Sequence, residues 1–525
     1  MQTLTQEKPK LGWITAGLLL GLVLASLDQS IISTAMPTIV KELDGLSLYS
    51  WVFTIYMLAS TTTMPIYGKL ADLFGRRNMY LVSLALFLAG SVLCGLAESM
   101  TQLVIYRAVQ GLGAGALMPI AFTIIGDQFP LELRGKFMGL FSAVFALASI
   151  IGPMLGGLIA EHVHWGWIFF INLPLGLPAF FIMAFALKER KVEQKRYIDW
   201  YGAITFSAGI VCLLLALVLA GDSGSSAGHF TWSSPPIIGL FAAGIALVAL
   251  FLWIETKVKE PLIPLHLFRN RTIAVSNIIG FFMSAGMFGA IVYIPLFVQG
   301  VVGVSPAIAG YILTPMMLAV VVSTTIGGRM MNKVTYRAIL IPSLSLMAVG
   351  FMLFSQMTVE TTKLEIIFYM IITGLGMGVV YPTIGTAAQN AVDFSNRGVA
   401  TSSSQFFRSI GGTVGVSVLG SLLMQRMSTQ IESLSSQMAS LPADQLHKLT
   451  DPQVLLDAGT RASLPVDIVE GLQQAFSSSL DSVFLLGLLF VCVSLAASVL
   501  MGNARLLASA PTKSKASAQD TVTKS

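Results

Sequence analysis

The chain has 525 residues, of which 55% are hydrophobic and only 11% charged, with a mean hydropathy of +0.78. Ordinary soluble proteins carry roughly 25% charged residues, so a soluble enzyme, a disordered chain and a secreted disulfide scaffold are excluded. The formal charge of +5 does not point to nucleic acid, because in an integral membrane protein surplus Lys and Arg report topology.

Apolar runs of spanning length, which takes about 20 helical residues, are predicted at about 12–36, 49–67, 78–97, 101–125, 137–160, 165–187, 200–220, 235–254, 272–298, 306–326, 338–357, 366–388, 399–424 and 480–503. Lys8 and Lys10 superficially suggest a secretory signal. The run that follows is too long and lacks an A-x-A-like end, so it reads as a retained first span. Assigning both termini and every second loop to one face puts 24 of the 31 Lys and Arg there and 5 on the other. By the positive-inside rule the richer face, with both termini, is cytoplasmic. Setting aside those at the ends of runs, three charged residues are left inside the apolar runs: Asp28, Arg107 and Arg408. Cys94, Cys212 and Cys492 lie in separate runs and read as small buried hydrophobes.

The sequence repeats itself. Gly111-Leu112-Gly113-Ala114-Gly115 recurs as Gly374-Leu375-Gly376-Met377-Gly378 at an offset of 263, and Arg134-Gly135, Gly152 and Gly157 recur as Arg397-Gly398, Gly415 and Gly420 at the same offset. A weaker echo relates Gly68-Lys69 to Gly328-Arg329 at 260. An even number of spans separates the copies, so the repeats are parallel. The reading is an N-terminal six-helix bundle at 1–190, a linker with two extra spans at 191–265, a C-terminal six-helix bundle at 266–505 with a long external loop at about 425–479, and a disordered cytoplasmic tail at 506–525.

Four segments carry a resemblance. Leu27-Asp28-Gln29-Ser30-Ile31 through Pro37, the loop Gly68-Lys69-Leu70-Ala71-Asp72-Leu73-Phe74-Gly75-Arg76-Arg77, the run Arg107-Ala108-Val109-Gln110-Gly111, and Gly152-Pro153-Met154-Leu155-Gly156-Gly157 resemble the motifs of the fourteen-span drug:proton antiporters of the major facilitator superfamily. Gly166 stands where that family usually has Arg, Ala148 where it often has Gly, and Asn332 replaces Asp in the second copy of the signature loop. The resemblance implies an all-α membrane protein of the major facilitator fold. It would have two parallel six-helix halves plus two inserted helices, 14 transmembrane helices in all, in the cytoplasmic membrane. It implies export of structurally diverse, lipophilic cationic drugs or dyes in exchange for protons. The proton motive force would be the energy source, with no cofactor or metal, and a monomer in the lipid bilayer is expected.

A carboxylate at the centre of a span costs roughly 2.5–3.5 kcal/mol on the translocon scale. Asp28 is therefore a functional candidate by default. Counting in from the outer ends, Asp28 and Arg107 reach matching depths, and the two are expected to face each other. A static ion pair and a switchable carboxylate are both compatible with that pairing; in the second, external protonation of Asp28 expels the drug. Neither Gly68-Lys69 nor Gly135-Lys136 is followed by Ser or Thr, so neither forms a Walker A loop. In the signature loop, Gly68 and Gly75 suit a tight turn, and Asp72 is expected against the start of the helix near Gly398, latching the cytoplasmic side together with Arg76 and Arg77. Gly152, Pro153, Gly156 and Gly157 suit a kink and close helix packing. Candidates for the substrate cavity are Gln110, Tyr56, Met57, Met283, Met287, Phe288 and Arg408, with Thr61, Thr62, Thr63, Phe281, Phe282 and Tyr293 nearby. Arg408 either faces the cavity or snorkels to the headgroups. His162 and His164 read as a solvated outer loop. A carrier of one specific solute, and a receptor or scaffold without flux, are the rival readings.

Overall fold

The computed structural model describes residues 11–43, 48–129, 162–187, 199–221, 232–258, 260–303, 306–331, 333–393, 396–434 and 466–503, with parts of 137–159. Its regular structure there is helical. The first half comprises α1 (Leu11–Leu43), α2 (Tyr49–Phe74), α3 (Arg76–Gly95), α4 (Met100–Gln128), the single turn α5 (Trp167–Phe170) and α6 (Asn172–Ala186). Two further helices follow, α7 (Trp200–Gly221) and α8 (Pro235–Glu255). The remainder is α9 (Arg271–Gly300), α10 (Pro306–Met330), α11 (Tyr336–Phe354), α12 (Lys363–Met377), α13 (Val380–Asn390), α14 (Arg397–Leu434) and α15 (Val466–Val499).

Helix starts follow capping chemistry. Ser99 accepts from Gln102 N at the head of α4, Thr335 caps α11, and Thr362 with Glu365 forms a capping box for α12. Among the described residues, twelve helical segments are long and apolar enough to cross a bilayer. α5–α6 and α12–α13 each count as one of them. The sequence reading of fourteen exceeds this set by α2, whose middle carries Ser60, Thr61, Thr62 and Thr63, and by 137–160, which is only partly described.

Several boundaries move. The predicted span at 366–388 breaks after Met377 into α12 and α13. The external stretch at 425–479 is shorter than it reads, because α14 runs on to Leu434 and α15 begins at Val466. The tail after 503, Arg134 to Lys136, Asn332 and Pro153 lie outside the described residues.

The internal repeat is a packing repeat. In α4, a side chain on Gly111, Gly113 or Gly115 would collide with the backbone at Tyr56, Phe87 and Ser60. At the end of α12, Gly374, Gly376 and Gly378 meet the backbone at Met316, Met347 and Val320. Each glycine shifts by 263 and each partner by 260, the two offsets present in the sequence. α4 is thus wedged between α2 and α3 as α12 is between α10 and α11, and only glycine lets the backbones approach so closely.

The extra pair α7–α8 packs on itself, and α7 also packs on α2 and α14. Phe206 of α7 stands 5.1 Å from the Phe251 ring of α8 and 5.2 Å from the Phe406 ring of α14. Leu58 of α2 joins the same apolar cluster. The extra helices therefore cover one side of the seam along which α2 meets α14.

Candidate functional site

The deepest polar group of the first half is built on four helices. α1 contributes Asp28, α3 Ser91, α4 Arg107 and Gln110, and α6 Asn172; all are buried. Arg107 Nη1 donates to Asp28 Oδ2 at 2.7 Å and to Gln110 Oε1 at 2.7 Å. Gln110 Nε2 donates to Asp28 Oδ1 at 2.7 Å, and Asn172 Nδ2 donates to the same oxygen at 3.2 Å. Arg107 Nε reaches the Val52 carbonyl at 3.3 Å. Tyr56 lies under the guanidinium, 4.0 Å from ring centroid to Cζ. The expected Asp28–Arg107 pairing is present, within a network larger than the pair.

Gln110, read as a cavity residue, belongs to this network and is fully buried. Tyr56 likewise supports Arg107 and does not line open space. Ser91 and Asn172 had no sequence signal beyond being polar in an apolar run. Ser91 accepts from Asn172 at 2.9 Å and donates to the Phe169 carbonyl at 2.9 Å. Cys94, read as a plain hydrophobe, points its Sγ at Gln110 Oε1 from 3.7 Å.

Two residues beyond Asp28, Ser30 Oγ donates to the Ala148 carbonyl at 3.2 Å. A side chain on Gly152 would collide with Ser30, and one on Gly156 with the Ile31 carbonyl and Thr34. The helix motif at 152–157 thus packs directly on the stretch of α1 that carries Asp28. Gly157 departs from the expectation, since nothing lies within 4 Å of where its Cβ would be.

The second polar group joins the two halves. Asp72, at the end of α2, accepts from Gly398 N and Val399 N at 3.0 Å each. These are unsatisfied N–H groups of the first turn of α14, where the helix dipole favours an anion. Arg76 Nη2 donates to Asp72 Oδ1 at 3.1 Å and its Nε pairs with Asp127 of α4, while Arg397 Nη1 donates to Asp127 Oδ1 at 3.1 Å. Arg77 donates to the Ala184 carbonyl. Gly68 lies against Ser402 and the Gly398 carbonyl, and Gly75 makes the turn into α3 at φ 95°. Gln389 of α13 donates to the Phe122 carbonyl of α4 at 3.2 Å. Halfway along the seam, Thr61 and Ser409 share a hydrogen bond of 2.7 Å.

The remaining cavity candidates separate. Met283 is fully buried in the core of the second half, as is most of Met287. Tyr293 bonds to the Val416 carbonyl at 3.0 Å. Phe288 covers Gly412, and Phe281 and Phe282 pack on each other. Met57 is 45% exposed. Arg408 lies over the Tyr381 ring, 4.3 Å from its centroid. His164 faces Glu42 at an exposed site, 3.8 Å apart.

A family model described as Major Facilitator Superfamily matches residues 18–416. The chain is 42% identical over 501 residues to "Multidrug transporter protein MdtP" of Bacillus subtilis (strain 168), covering 91% of each. It is 39% identical over 517 residues to "Multidrug resistance protein 3" of the same organism, covering 98% of this chain and 100% of the relative. Among solved structures, the human organic anion transporter MFSD10 (TETRAN) superposes with a TM-score of 0.58 at 14% identity, over 92% of this chain and 100% of that one; that likeness concerns the fold.

Proposed function

The chain belongs to the Major Facilitator Superfamily, and from that premise we propose that it exports drugs across the cytoplasmic membrane by alternating access, in exchange for protons. Relatives named for multidrug transport and resistance support the drug exporter. The observation that carries the coupling is the buried network on Asp28. The Asp28 carboxylate is held by donors from two other helices, Arg107 and Gln110 of α4 and Asn172 of α6. Moving α1 relative to α4 or α6 breaks these bonds, which ties the surroundings of Asp28 to conformation.

In this reading residues 1–190 and 266–505 are the two moving halves. α2 and the segment 137–160 cross the bilayer with the twelve apolar segments, making fourteen, with both termini cytoplasmic. Thr61 of α2 faces the seam, where it bonds to Ser409, whereas Thr63 lies against Gly115 of α4. The bonds around Asp72, Arg76, Asp127 and Arg397 hold the cytoplasmic side shut, and breaking them opens the inward state. The 152–157 motif, clamped on α1, keeps the Asp28 helix in register. Each proton driven inward by about 100 mV supplies roughly 2.3 kcal/mol, so export needs neither nucleotide nor cofactor. The carrier works as a monomer. The expectation of lipophilic cations has less support, because Asp28 is neutralised by Arg107.

The test is efflux of ethidium and of an uncharged lipophilic dye from energised cells, wild type against Asp28→Asn, with a protonophore control. Protonophore-sensitive efflux lost in the variant supports both export and coupling at Asp28. Efflux retained in the variant moves the coupling elsewhere, and no efflux of any dye from well-expressed wild type refutes the exporter.

A further inference from the structure

Arg408 is an arginine at depth in the second half that no described carboxylate balances. It lies eleven residues into α14, which begins at Arg397, or about 16 Å along the helix. That depth is close to the middle of the bilayer, where a guanidinium is costly and an ionisable side chain marks a substrate or ion path by default. Arg107, the other arginine at depth, has Asp28. Among the described residues no carboxylate pairs with Arg408, and no hydrogen-bond acceptor is placed on its nitrogens. Its side chain is half-buried, and its nitrogens are not among the sealed polar atoms that lack a partner, so they retain access to open space.

What holds Arg408 is the Tyr381 ring, 4.3 Å from its Cζ. Tyr381 is itself fixed: its hydroxyl shares a hydrogen bond of 2.6 Å with Ser284 of α9 and lies 3.5 Å from Met287 Sδ. A guanidinium resting on a ring face leaves its N–H edge free, and that edge fits a carboxylate in a two-pronged arrangement. The neighbouring groups complete an amphiphile's site. Ser409, next in sequence, bonds across the seam to Thr61 at 2.7 Å, and Phe288 covers Gly412 one turn further on.

We propose that Arg408, braced by Tyr381, is the anchor for the acidic group of amphiphilic substrates, so that organic acids are a cargo class of this carrier. The inference rests on the exporter reading and sharpens its substrate class. It follows from the pairing of the groups at depth: Asp28 is already paired with Arg107, whereas among the described residues Arg408 has no carboxylate partner and offers an anion its guanidinium; Asp481, whose Oδ1 is buried without a hydrogen bond, lies on another helix, α15.

The experiment compares efflux of pyrenebutyric acid, its methyl ester and ethidium from energised vesicles. In Arg408→Gln the acid-to-ester rate ratio falls at least about 10-fold, since charge-assisted bonds to guanidinium are among the strong ones. Arg408→Lys retains the charge without the flat fork and falls in between. Equal loss on all three probes overturns the proposal and makes Arg408 a structural or coupling residue. An unchanged ratio overturns it too. Wild type that exports ethidium and ester but not acid refutes the acid site and leaves the exporter standing; wild type that exports none of the three refutes both. Should the variants not fold, binding to the purified wild-type protein decides. The acid is expected to bind at least about 10-fold more tightly than its ester, and equal affinity sinks the proposal.

Discussion

Asp28 Oδ2 and Arg107 Nη1 lie 2.7 Å apart with both side chains 1% exposed, and two amide side chains close the remaining approaches to the carboxylate. Removing one partner of such a pair leaves a charge buried alone, which costs about 3–5 kcal/mol. Asp28→Asn is expected to lower thermal stability in detergent and to abolish proton-driven efflux. Adding Arg107→Gln restores much of the stability and none of the transport. A double variant that exports normally would reduce the pair to a structural bridge.

Asp72 satisfies two first-turn N–H groups of α14 from across the seam. Asp72→Ala removes a helix cap worth about 1 kcal/mol together with its charge, and should shift the carrier towards opening on that side. Ser402, buried against Gly68, reports it. With Ser402→Cys as the only cysteine, labelling of the purified carrier by a maleimide should rise when Asp72 is replaced.

The two adjacent glycines of the 152–157 motif should behave differently. Gly156→Ala drives a methyl group into the Ile31 carbonyl and Thr34, whereas Gly157→Ala meets nothing within 4 Å. Gly156→Ala is expected to impair expression or transport, and Gly157→Ala to be silent in both. Equal tolerance would mean that α1 and this segment are not in close contact.

Gly111→Ala and Gly374→Ala should cost alike, about 1–3 kcal/mol each as overpacking, because both push into backbone at equivalent places in the two halves. Gly385→Ala has free space and serves as the control. Thermal unfolding of the purified carrier measures all three.

Much of this was legible in the sequence because charge and glycine are rare and expensive within a bilayer. Asp28 and Arg107 could be paired by depth alone, and Asp72 could be set against Gly398. The repeat at 263 turned out to be a repeat of backbone contacts. Ser91 and Asn172 were not legible, since a lone Ser or Asn in an apolar run has many uses and only the third dimension brings it to Asp28. Gln110 was read as lining a cavity because its turn of α4 was known but its facing direction was not. Tyr381 escaped notice because its position in the repeat is held by Met118, which contains nothing polar. The break between α12 and α13 was not legible, since the same glycine spacing runs through the unbroken α4.

α14 has 38 residues, or about 57 Å at 1.5 Å per residue, well beyond the thickness of the hydrocarbon layer. Its first turn is gripped by Asp72, its first third carries Arg408 and Ser409, and its far end lies in one apolar cluster with α15 through Met427 and Ile431. One helix therefore touches the clasp at Asp72, Arg408 and the cluster around Met427 and Ile431. A tilt of a few degrees about its middle swings its two tips in opposite directions, so releasing the clasp also displaces the far end. The end of α14 remote from Asp72 is accordingly a place where an antibody fragment or a crosslink could arrest the cycle.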